Sequence, residues 1–271
     1  MISVAPMMDW TDRHCRYFLR LVSPRAFLYT EMVTANALHY GDAKSLLRYD
    51  PSEHPIAIQL GGSDPAMMAE AAALACEAGY DEVNINVGCP SDRVQSGQFG
   101  ACLMGQPELV ARCYSEMQSS VDVPVTVKSR IGIDDHDSDE FFMRFVDTIA
   151  AAGCRQFIVH ARIAILEGLS PKENRSVPPL NYERVYRLKE AHPEMQVIIN
   201  GGFTTIEQVD SALQHVDGVM IGRQAYHQPW FLAELEQHFD PAFEPPPRRS
   251  VIERMGPDLE QQLKDGERLG R

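Results

Sequence analysis

Short apolar runs alternate along the chain with longer segments in which apolar residues recur every three or four positions. Near-continuous apolar runs predict parallel strands covered on both faces, and the longer spacing predicts amphipathic helices. The eight runs are residues 3–6, 26–29, 56–60, 82–85, 123–127, 156–159, 196–199 and 218–221. Helical spacing is clearest at residues 65–78, 107–119, 139–152 and 204–214. Thr204 and Glu207 form the start signal of a helix with a capping box.

Strand followed by helix, repeated eight times over about 230 residues, predicts an α/β fold of the (β/α)8 TIM-barrel type. A doubly wound open sheet is the alternative that the same pattern allows. We expect residues 1–239 to form this single barrel domain. The proline-rich residues 240–247 cannot continue a helix and are expected to be a linker, and residues 248–271 are expected to form a short helical remnant.

Composition narrows the class of protein further. The chain has no apolar run of about 18 residues and no secretory start, so we expect a cytoplasmic protein that does not contact membranes. Its six cysteines form no C-x-x-C pair, which indicates neither a disulfide framework nor a metal site. A net charge of −13 argues against a surface that binds nucleic acid throughout, but it allows a local basic patch. We expect a monomer.

Polar residues and glycines follow the predicted strands, where barrel enzymes carry their active sites. They are Pro6, Met7 and Met8; Glu31 and Met32; Gln59; Asn84 and Asn86; Lys128; His160 and Arg162; Asn200, Gly201 and Gly202; and Gly222 and Arg223. Any one of these could be an ordinary strand-end polar group. Eight sets around one barrel mouth predict a functional site.

The glycines and arginine after the seventh and eighth strands predict a phosphate site, because glycine lets backbone N–H groups approach an anion closely. Lys128 ends an apolar strand and therefore needs a negative partner, either a reduced flavin or a carboxylate such as Glu31. Gln59 and His160 could hydrogen-bond the same cofactor, although a neutral structural histidine is the alternative for His160.

Cys89 lies in a Gly-Cys-Pro turn just beyond the fourth strand, a position that suits contact with a ligand better than packing. Since a thiol with an ordinary pKa of about 8.5 is mostly protonated at neutral pH, it can act as a general acid without activation. A structural cysteine is the alternative.

These residues resemble the tRNA-dihydrouridine synthases, and within them the A subfamily. The motifs are APMMDWTD at residues 5–12, YTEM at 29–32, QLGG at 59–62, NVGCPSDRV at 86–94, GACLM at 100–104, VK at 127–128, HAR at 160–162, LSPKENR at 169–175 and NGG at 200–202. They extend over essentially the whole predicted barrel.

The resemblance implies that NADPH reduces FMN, that flavin hydride goes to C6 of a uracil flipped out of the tRNA D-loop, and that Cys89 protonates C5. By the same resemblance, FMN is held by Pro6, Met7, Met8, Gln59, Lys128, His160, Asn200, Gly201, Gly202, Gly222 and Arg223. Asn86, Arg162, Lys172 and Arg175 would bind the substrate. Residues 248–271 would be the truncated start of a helical tRNA-binding domain.

Two departures from the family pattern predict weaker tRNA binding. After His160-Ala161-Arg162 the family shows a lysine and an Ala-Trp-Leu stretch, whereas this chain has apolar Ile163 and Ile165 and acidic Glu167. Gln98 stands where the family often has arginine. Two other functions therefore stay open: a flavin-binding scaffold with little or no tRNA activity, and another FMN barrel such as a dihydroorotate dehydrogenase.

Overall fold

The computed structural model describes residues 1–264, with all side chains in that range except those of residues 93, 261 and 262. The last part of the expected helical remnant, residues 265–271, lies outside the described residues. Within the described range, eight parallel strands form a barrel: β1 (Ile2–Val4), β2 (Leu28–Thr34), β3 (Ile56–Gly61), β4 (Glu82–Val87), β5 (Val125–Ser129), β6 (Gln156–His160), β7 (Gln196–Asn200) and β8 (Gly218–Ile221).

From β2 to β8 each strand pairs with the next one along the chain, and β8 pairs with β1. A parallel bridge between Ser3 and Phe27, just before β2, brings the two remaining edges together. The prediction of a (β/α)8 barrel is therefore confirmed, and the open doubly wound sheet is wrong, because an open sheet would leave β1 and β8 apart.

Helices connect the strands and cover the outside of the barrel. They are α1 (Arg13–Val22), α2 (Ala35–Tyr40), α3 (Ala43–Leu46), α4 (Pro65–Glu77), α5 (Asp92–Ser96), α6 (Pro107–Ser120), α7 (Asp139–Ala151), α8 (Tyr182–Ala191), α9 (Ile206–Leu213), α10 (Arg223–His227), α11 (Trp230–Phe239) and α12 (Arg248–Lys264). Short 3₁₀ helices cover Pro51–Glu53, Gly100–Gly105 and Glu173–Arg175. The main apolar core lies between this helical layer and the sheet.

Local sequence signals fix where several helices begin. The Asp64 side chain caps α4 with Pro65 in its first turn, and the Ser138 side chain caps α7. The capping box of α9 lies one residue later than predicted: Thr205 is the cap and Gln208 completes the box. The prediction that used Thr204 and Glu207 was wrong because Thr and Gln at the next register fit the same motif.

Several strands extend beyond the apolar runs that predicted them. Glu31 and Met32 lie inside β2 and Lys128 lies inside β5, although each was expected to follow its strand, whereas Gln59 lies inside both the predicted run and β3. Polar and long side chains occur in these strands where they have polar partners, such as Asn200 for Lys128 and the N–H of Asp9 for Glu31. Hydrophobicity alone therefore placed these strand ends too early.

The chain after the barrel packs against its first helix. α11 ends at Phe239 and α12 begins at Arg248, so residues 240–247 contain no helix. On α12, Val251 is 1% exposed and belongs to a small apolar cluster with Leu21, Val22 and Ala233. Whether α12 belongs to a separate domain stays a prediction.

In the part of the chain that is described, no helix has the length and apolar character needed to cross a membrane. All six cysteines carry free thiols.

Candidate active site

The loop after β4 is held rigidly around Cys89. The backbone N–H groups of Gly88 and Cys89 both donate to Oδ1 of Asn86, at 3.1 and 3.0 Å. The Cys89 carbonyl accepts from the N–H of Ala101 at 2.9 Å. Gly100 makes this close approach possible, since its φ is +76° and a Cβ there would lie 2.6 Å from the Cys89 oxygen. Backbone contacts on both sides therefore fix the position of the thiol.

The Cys89 thiol is half-buried and faces cationic side chains. Its Sγ donates to Oγ of Ser91 at 3.5 Å. Burial lowers the pKa values of Lys128, Arg130 and Arg175, whereas a negative charge on Cys89 acts in the opposite direction on all three. The sulfur thus lies within electrostatic reach of three cationic side chains.

Lys128 has an amide partner and no carboxylate partner among the described side chains. Its Nζ donates to Oδ1 of Asn200 at 3.2 Å. Glu31, the alternative partner considered from sequence, instead accepts a hydrogen bond from the N–H of Asp9 at 2.5 Å. Burial, and then the neighbouring Arg130, lowers the pKa of Lys128 to about 7. The ammonium therefore lacks an anion, which a bound ligand could supply.

Arg130 is a site residue that the sequence reasoning missed. It is 3% exposed and donates only to carbonyl oxygens: from Nε to Gly88 at 3.1 Å, and from Nη1 to Ile163 and Asn174 at 3.2 and 3.0 Å. Burial lowers its pKa to about 10. One guanidinium thus joins the Cys89 loop to two parts of the loop after β6. The sequence signal that could have identified Arg130 is its position, two residues after Lys128 and just past the end of the same strand.

A cationic region around Arg162 lies in the same mouth. Nε of Arg162 is buried without a hydrogen-bond partner, while Nη1 donates to the carbonyl of Pro178. Burial and then the nearby Arg223 lower the pKa of Arg162. Burial, followed by Arg130 and other cations, lowers the pKa of His160 well below its ordinary value, so the imidazole is neutral at pH 7. An orphaned buried donor among mutually repelling cations fits an anionic group such as a phosphate.

The two glycines after β7 take conformations that other residues rarely adopt. Gly201 has φ +132° and Gly202 has φ +77°. A Cβ on Gly201 would lie 2.7 Å from Cδ2 of Leu180 and 3.1 Å from Cδ2 of His160. The hydroxyl of Tyr182 donates to the Gly201 carbonyl at 2.5 Å. The turn therefore needs glycine at both positions and lies against the His160 ring.

The loop after β6 meets the end of β8. Gly222 precedes α10, and Nη2 of Arg223 donates to the carbonyl of Arg175 at 3.2 Å. Because burial and Arg223 both lower the pKa of Arg175, the two guanidinium groups are close in space. Lys172 is exposed at the start of the neighbouring 3₁₀ turn. Arg175 therefore belongs to the mouth. Lys172 is joined to it through the backbone, because its carbonyl accepts from the N–H of Arg175 at 3.2 Å, while the residue itself is exposed.

The loop after β1 forms the rim beside β8. Met7 packs against both the main core and the barrel interior, Pro6 is half-buried, and Met8 is 54% exposed. Trp10 stacks on Tyr226 of α10 with 4.4 Å between ring centroids. This contact ties the first and last barrel loops together.

Gln59 and Asn86 are buried and bonded to each other. Oε1 of Gln59 accepts from Nδ2 of Asn86 at 2.7 Å, and Nε2 of Gln59 donates to Oδ1 of Asn84 at 2.8 Å. These bonds leave one N–H on each of the Gln59 and Asn86 amides for a ligand.

Two surface clefts of about 340 and 490 Å³ lie away from Cys89. The smaller is lined partly by Asp9 and Asp12, and the larger partly by Glu207 and Glu234. Neither cleft is lined by Lys128, Arg130, Arg162, Arg175 or Arg223. The candidate active site is therefore separate from both clefts.

Comparison with known proteins gives a consistent result. The family model for dihydrouridine synthases matches residues 3–271. A protein named tRNA-dihydrouridine(20/20a) synthase from Shewanella oneidensis is 57% identical over 268 residues, covering 98% of this chain and 80% of that protein. Proteins of the same name from Synechocystis sp. and Xanthomonas axonopodis are 55% and 56% identical, covering 99% and 98% of this chain and 80% and 79% of their own lengths.

The family resemblance inferred from the motifs is thereby confirmed, and the match separates the chain from the dihydroorotate dehydrogenases. Since the family model extends over nearly the whole sequence and these relatives share more than half of its residues, the chain belongs to the dihydrouridine synthase family of oxidoreductases.

Proposed function

We propose that this protein reduces uridine to 5,6-dihydrouridine in the D-loop of tRNA, with FMN as cofactor and NADPH as reductant. The observation that carries the proposal is the Cys89 thiol, held by backbone contacts within reach of Lys128, Arg130 and Arg175 in one barrel mouth. The printed names of the relatives support tRNA as substrate, and they suggest uridines 20 and 20a as targets.

The residues of the mouth fit a cofactor that carries a phosphate and an anionic ring. Among the described residues, Arg162 keeps a buried Nε without a hydrogen-bond partner, close to Arg223 and to the loop that carries Gly201, which suits the phosphate. Lys128, whose hydrogen-bond partner within the described range is Asn200, suits the ring edge that becomes negative on reduction. Neutral His160 and the spare N–H of Gln59 complete the set of donors, with Pro6, Met7, Met8, Gly202 and Gly222 shaping the rim.

Reduced FMN, when bound, supplies a hydride to C6 of the uracil ring. Cys89 donates its proton to C5, so that the C5–C6 double bond becomes a single bond and the sulfur becomes a thiolate. A proton from solvent then restores the thiol. The loop contacts at Asn86 hold the sulfur in place during this transfer.

Substrate binding would use the cations on the outer side of the mouth. Arg162 and Arg175 lie close enough to Arg223 to contact a phosphate or the flipped base, and exposed Lys172 extends the positive surface. Asn86 would contribute its remaining N–H. We further propose that residues 248–271 begin the helical tRNA-binding domain, and that the protein acts as a cytoplasmic monomer.

Two measurements on the purified protein test this function. Visible absorbance with the bands of oxidised flavin, after reconstitution with FMN, would establish the cofactor. Dihydrouridine formation on unmodified tRNA, followed by mass spectrometry with NADPH and with NADH as alternative reductants, tests the reaction. A yellow protein that oxidises NADPH but forms no dihydrouridine would instead be a flavin-binding scaffold.

A further inference from the structure

One part of the barrel interior is polar, although barrel interiors are normally packed with branched apolar side chains. A small apolar cluster of barrel residues lies beside it: Ala5, Tyr29, Ala57, Ile158, Ile198 and Met220. On β4, however, the alternate residues Glu82, Asn84 and Asn86 are all polar and are 4%, 0% and 9% exposed. Buried polar groups of this kind destabilise a fold unless every member is satisfied.

The three buried amides Asn86, Gln59 and Asn84, called here the amide ladder, connect the Cys89 loop to the barrel floor. Asn86 Nδ2 donates to Gln59 Oε1 at 2.7 Å, and Gln59 Nε2 donates to Asn84 Oδ1 at 2.8 Å. At the lower end, Asn84 Nδ2 donates to Oγ1 of Thr126 at 2.8 Å. Strand register supports this path, because Asn84 is the lateral neighbour of both Gln59 and Thr126.

The floor of the barrel is the carboxylate of Glu82. It accepts from the Thr126 hydroxyl at 2.6 Å, from the Tyr29 hydroxyl at 2.8 Å and from Nε2 of Gln156 at 3.0 Å. Because the Thr126 oxygen accepts from Nδ2 of Asn84, the hydroxyl hydrogen of Thr126 is left to donate to Glu82. The Thr126 hydroxyl therefore points its hydrogen toward Glu82 and an oxygen lone pair toward Asn84, the lowest amide of the amide ladder.

Both ends of the amide ladder require the same direction of donation. At the top, the N–H groups of Gly88 and Cys89 can only donate, so Asn86 must present its oxygen to them and its nitrogen to the next amide. At the bottom, the Thr126 hydroxyl donates to Glu82 at 2.6 Å, which continues the same direction. Every amide orientation in between follows from these two constraints, and reversing one amide would set donor against donor.

An apolar layer would stabilise the barrel at least as well as this network, because buried polar groups rarely improve stability over well-packed hydrophobic ones. What the network adds is one fixed geometry. We propose that Glu82 and Thr126 are positioning residues for Cys89, acting through the amide ladder that keeps the Asn86 oxygen beneath the Gly88–Cys89 peptide. The inference rests on the proposed role of Cys89 as proton donor.

A matched set of variants separates positioning from general stability. Thr126→Val keeps the shape of the side chain but leaves Asn84 without its acceptor and removes one donor from Glu82. Gln156→Met also removes one donor from Glu82 but leaves the amide ladder intact, so it is the matched control. Thr126→Ser restores the hydroxyl and should restore function.

Two readouts are measured on the full-length, FMN-loaded protein. The first is the rate at which iodoacetamide alkylates Cys89, followed by mass spectrometry of its peptide, which does not depend on turnover. The second is the single-turnover rate of uridine reduction by the pre-reduced protein. The rate of flavin reduction by NADPH is recorded alongside as a control for the cofactor site.

We expect Thr126→Val to change Cys89 alkylation by about threefold or more and to slow uridine reduction about tenfold, the effect of losing about one buried hydrogen bond. Gln156→Met and Thr126→Ser should stay within about twofold on both readouts. The proposal is overturned if Thr126→Val and Gln156→Met give the same alkylation rate and the same rate of uridine reduction. If Thr126→Val does not fold, Asn84→Leu interrupts the amide ladder one step higher. Wild-type rates in Asn84→Leu would overturn the proposal equally.

Failure of the proposed function has a different signature. If Cys89→Ala reduces uridine at the wild-type rate, Cys89 is not the proton donor, whatever the Thr126 variants do. A wild-type response of Cys89→Ala therefore rejects the catalytic role, whereas equal alkylation in the two Glu82-contact variants rejects the positioning role.

Discussion

The Nε–H of Arg130 donates to the carbonyl oxygen of Gly88 across 3.1 Å, on the residue directly before Cys89. The same guanidinium also binds the loop after β6 through Ile163 and Asn174. Together with the Asn86 oxygen on the opposite side of the peptide, it brackets the Cys89 loop. The buried arginine therefore serves both as a structural clamp and as a positive charge beside the thiol.

Removing this clamp should destabilise the barrel mouth. Arg130→Met leaves three carbonyl oxygens without their donor, so we expect the free energy of unfolding in urea to fall by about 3 kcal/mol. The control is Arg249→Met, because the Arg249 side chain is 90% exposed and its i,i+4 ion pair should contribute less than about 0.5 kcal/mol. Equal stability of the two variants would contradict the clamp.

Cys89→Ala tests the proton donor itself. We expect bound flavin to be unchanged and uridine reduction to fall about 100-fold or more, the usual scale for loss of a general acid. Cys76→Ala, on the outer helix α4, should retain the wild-type rate. The measurement is single-turnover dihydrouridine formation, and equal rates in the two variants would remove Cys89 from the mechanism.

FMN affinity should depend on pH through Lys128. Because burial lowers the pKa of this residue to about 7, its ammonium loses its proton as the pH rises through that value, and the attraction to an anionic cofactor is lost with it. We expect affinity to weaken about tenfold or more between about pH 7 and pH 9. The Lys128→Met variant should bind FMN more weakly than the wild type at neutral pH, and its FMN affinity should change less with pH. Quenching of FMN fluorescence on binding measures both, and identical profiles would reject the assignment.

Gly201→Ala should damage the cofactor site more than a glycine substitution elsewhere. Gly201 and Gly168 both have positive φ, +132° and +88°, but only Gly201 has neighbours that a Cβ would strike. We expect Gly168→Ala to cost about 1 kcal/mol of stability through backbone strain alone. Gly201→Ala should also weaken FMN binding about tenfold or more, since Leu180 and His160 must move. Equal FMN affinity in the two variants would show that the turn does not shape the site.

The acidic residue in the loop after β6 should limit tRNA binding. Glu167 is exposed in the loop that carries Lys172 and Arg175, so Glu167→Lys should tighten tRNA binding several-fold at low salt and steepen the salt dependence by about one phosphate contact. Asp122→Lys makes the same charge change at the opposite end of the barrel, just before β5. Filter binding at several salt concentrations distinguishes them, and an equal gain from Asp122→Lys would indicate only a net-charge effect.

The sequence by itself determined the barrel and the neighbourhood of its chemistry. Strand and helix periodicities are local properties, so eight alternations along the chain were enough to predict eight β/α units, and the helix caps at Asp64 and Ser138 are local too. Parallel strands bring their carboxyl ends to one face, so Cys89, Lys128 and His160 could be expected in one mouth before any distance was known.

Only the tertiary structure decided which partners those residues have. The choice of Asn200 over Glu31 for Lys128, and the clamp from Arg130 to Gly88, depend on contacts between residues more than 40 positions apart. The direction of the amide ladder likewise depends on strand register, which sets Gln59 beside Asn84. Hydrophobic pattern cannot specify such contacts, because a buried polar side chain is stabilised by the geometry of its partners and leaves no periodic signal in the chain.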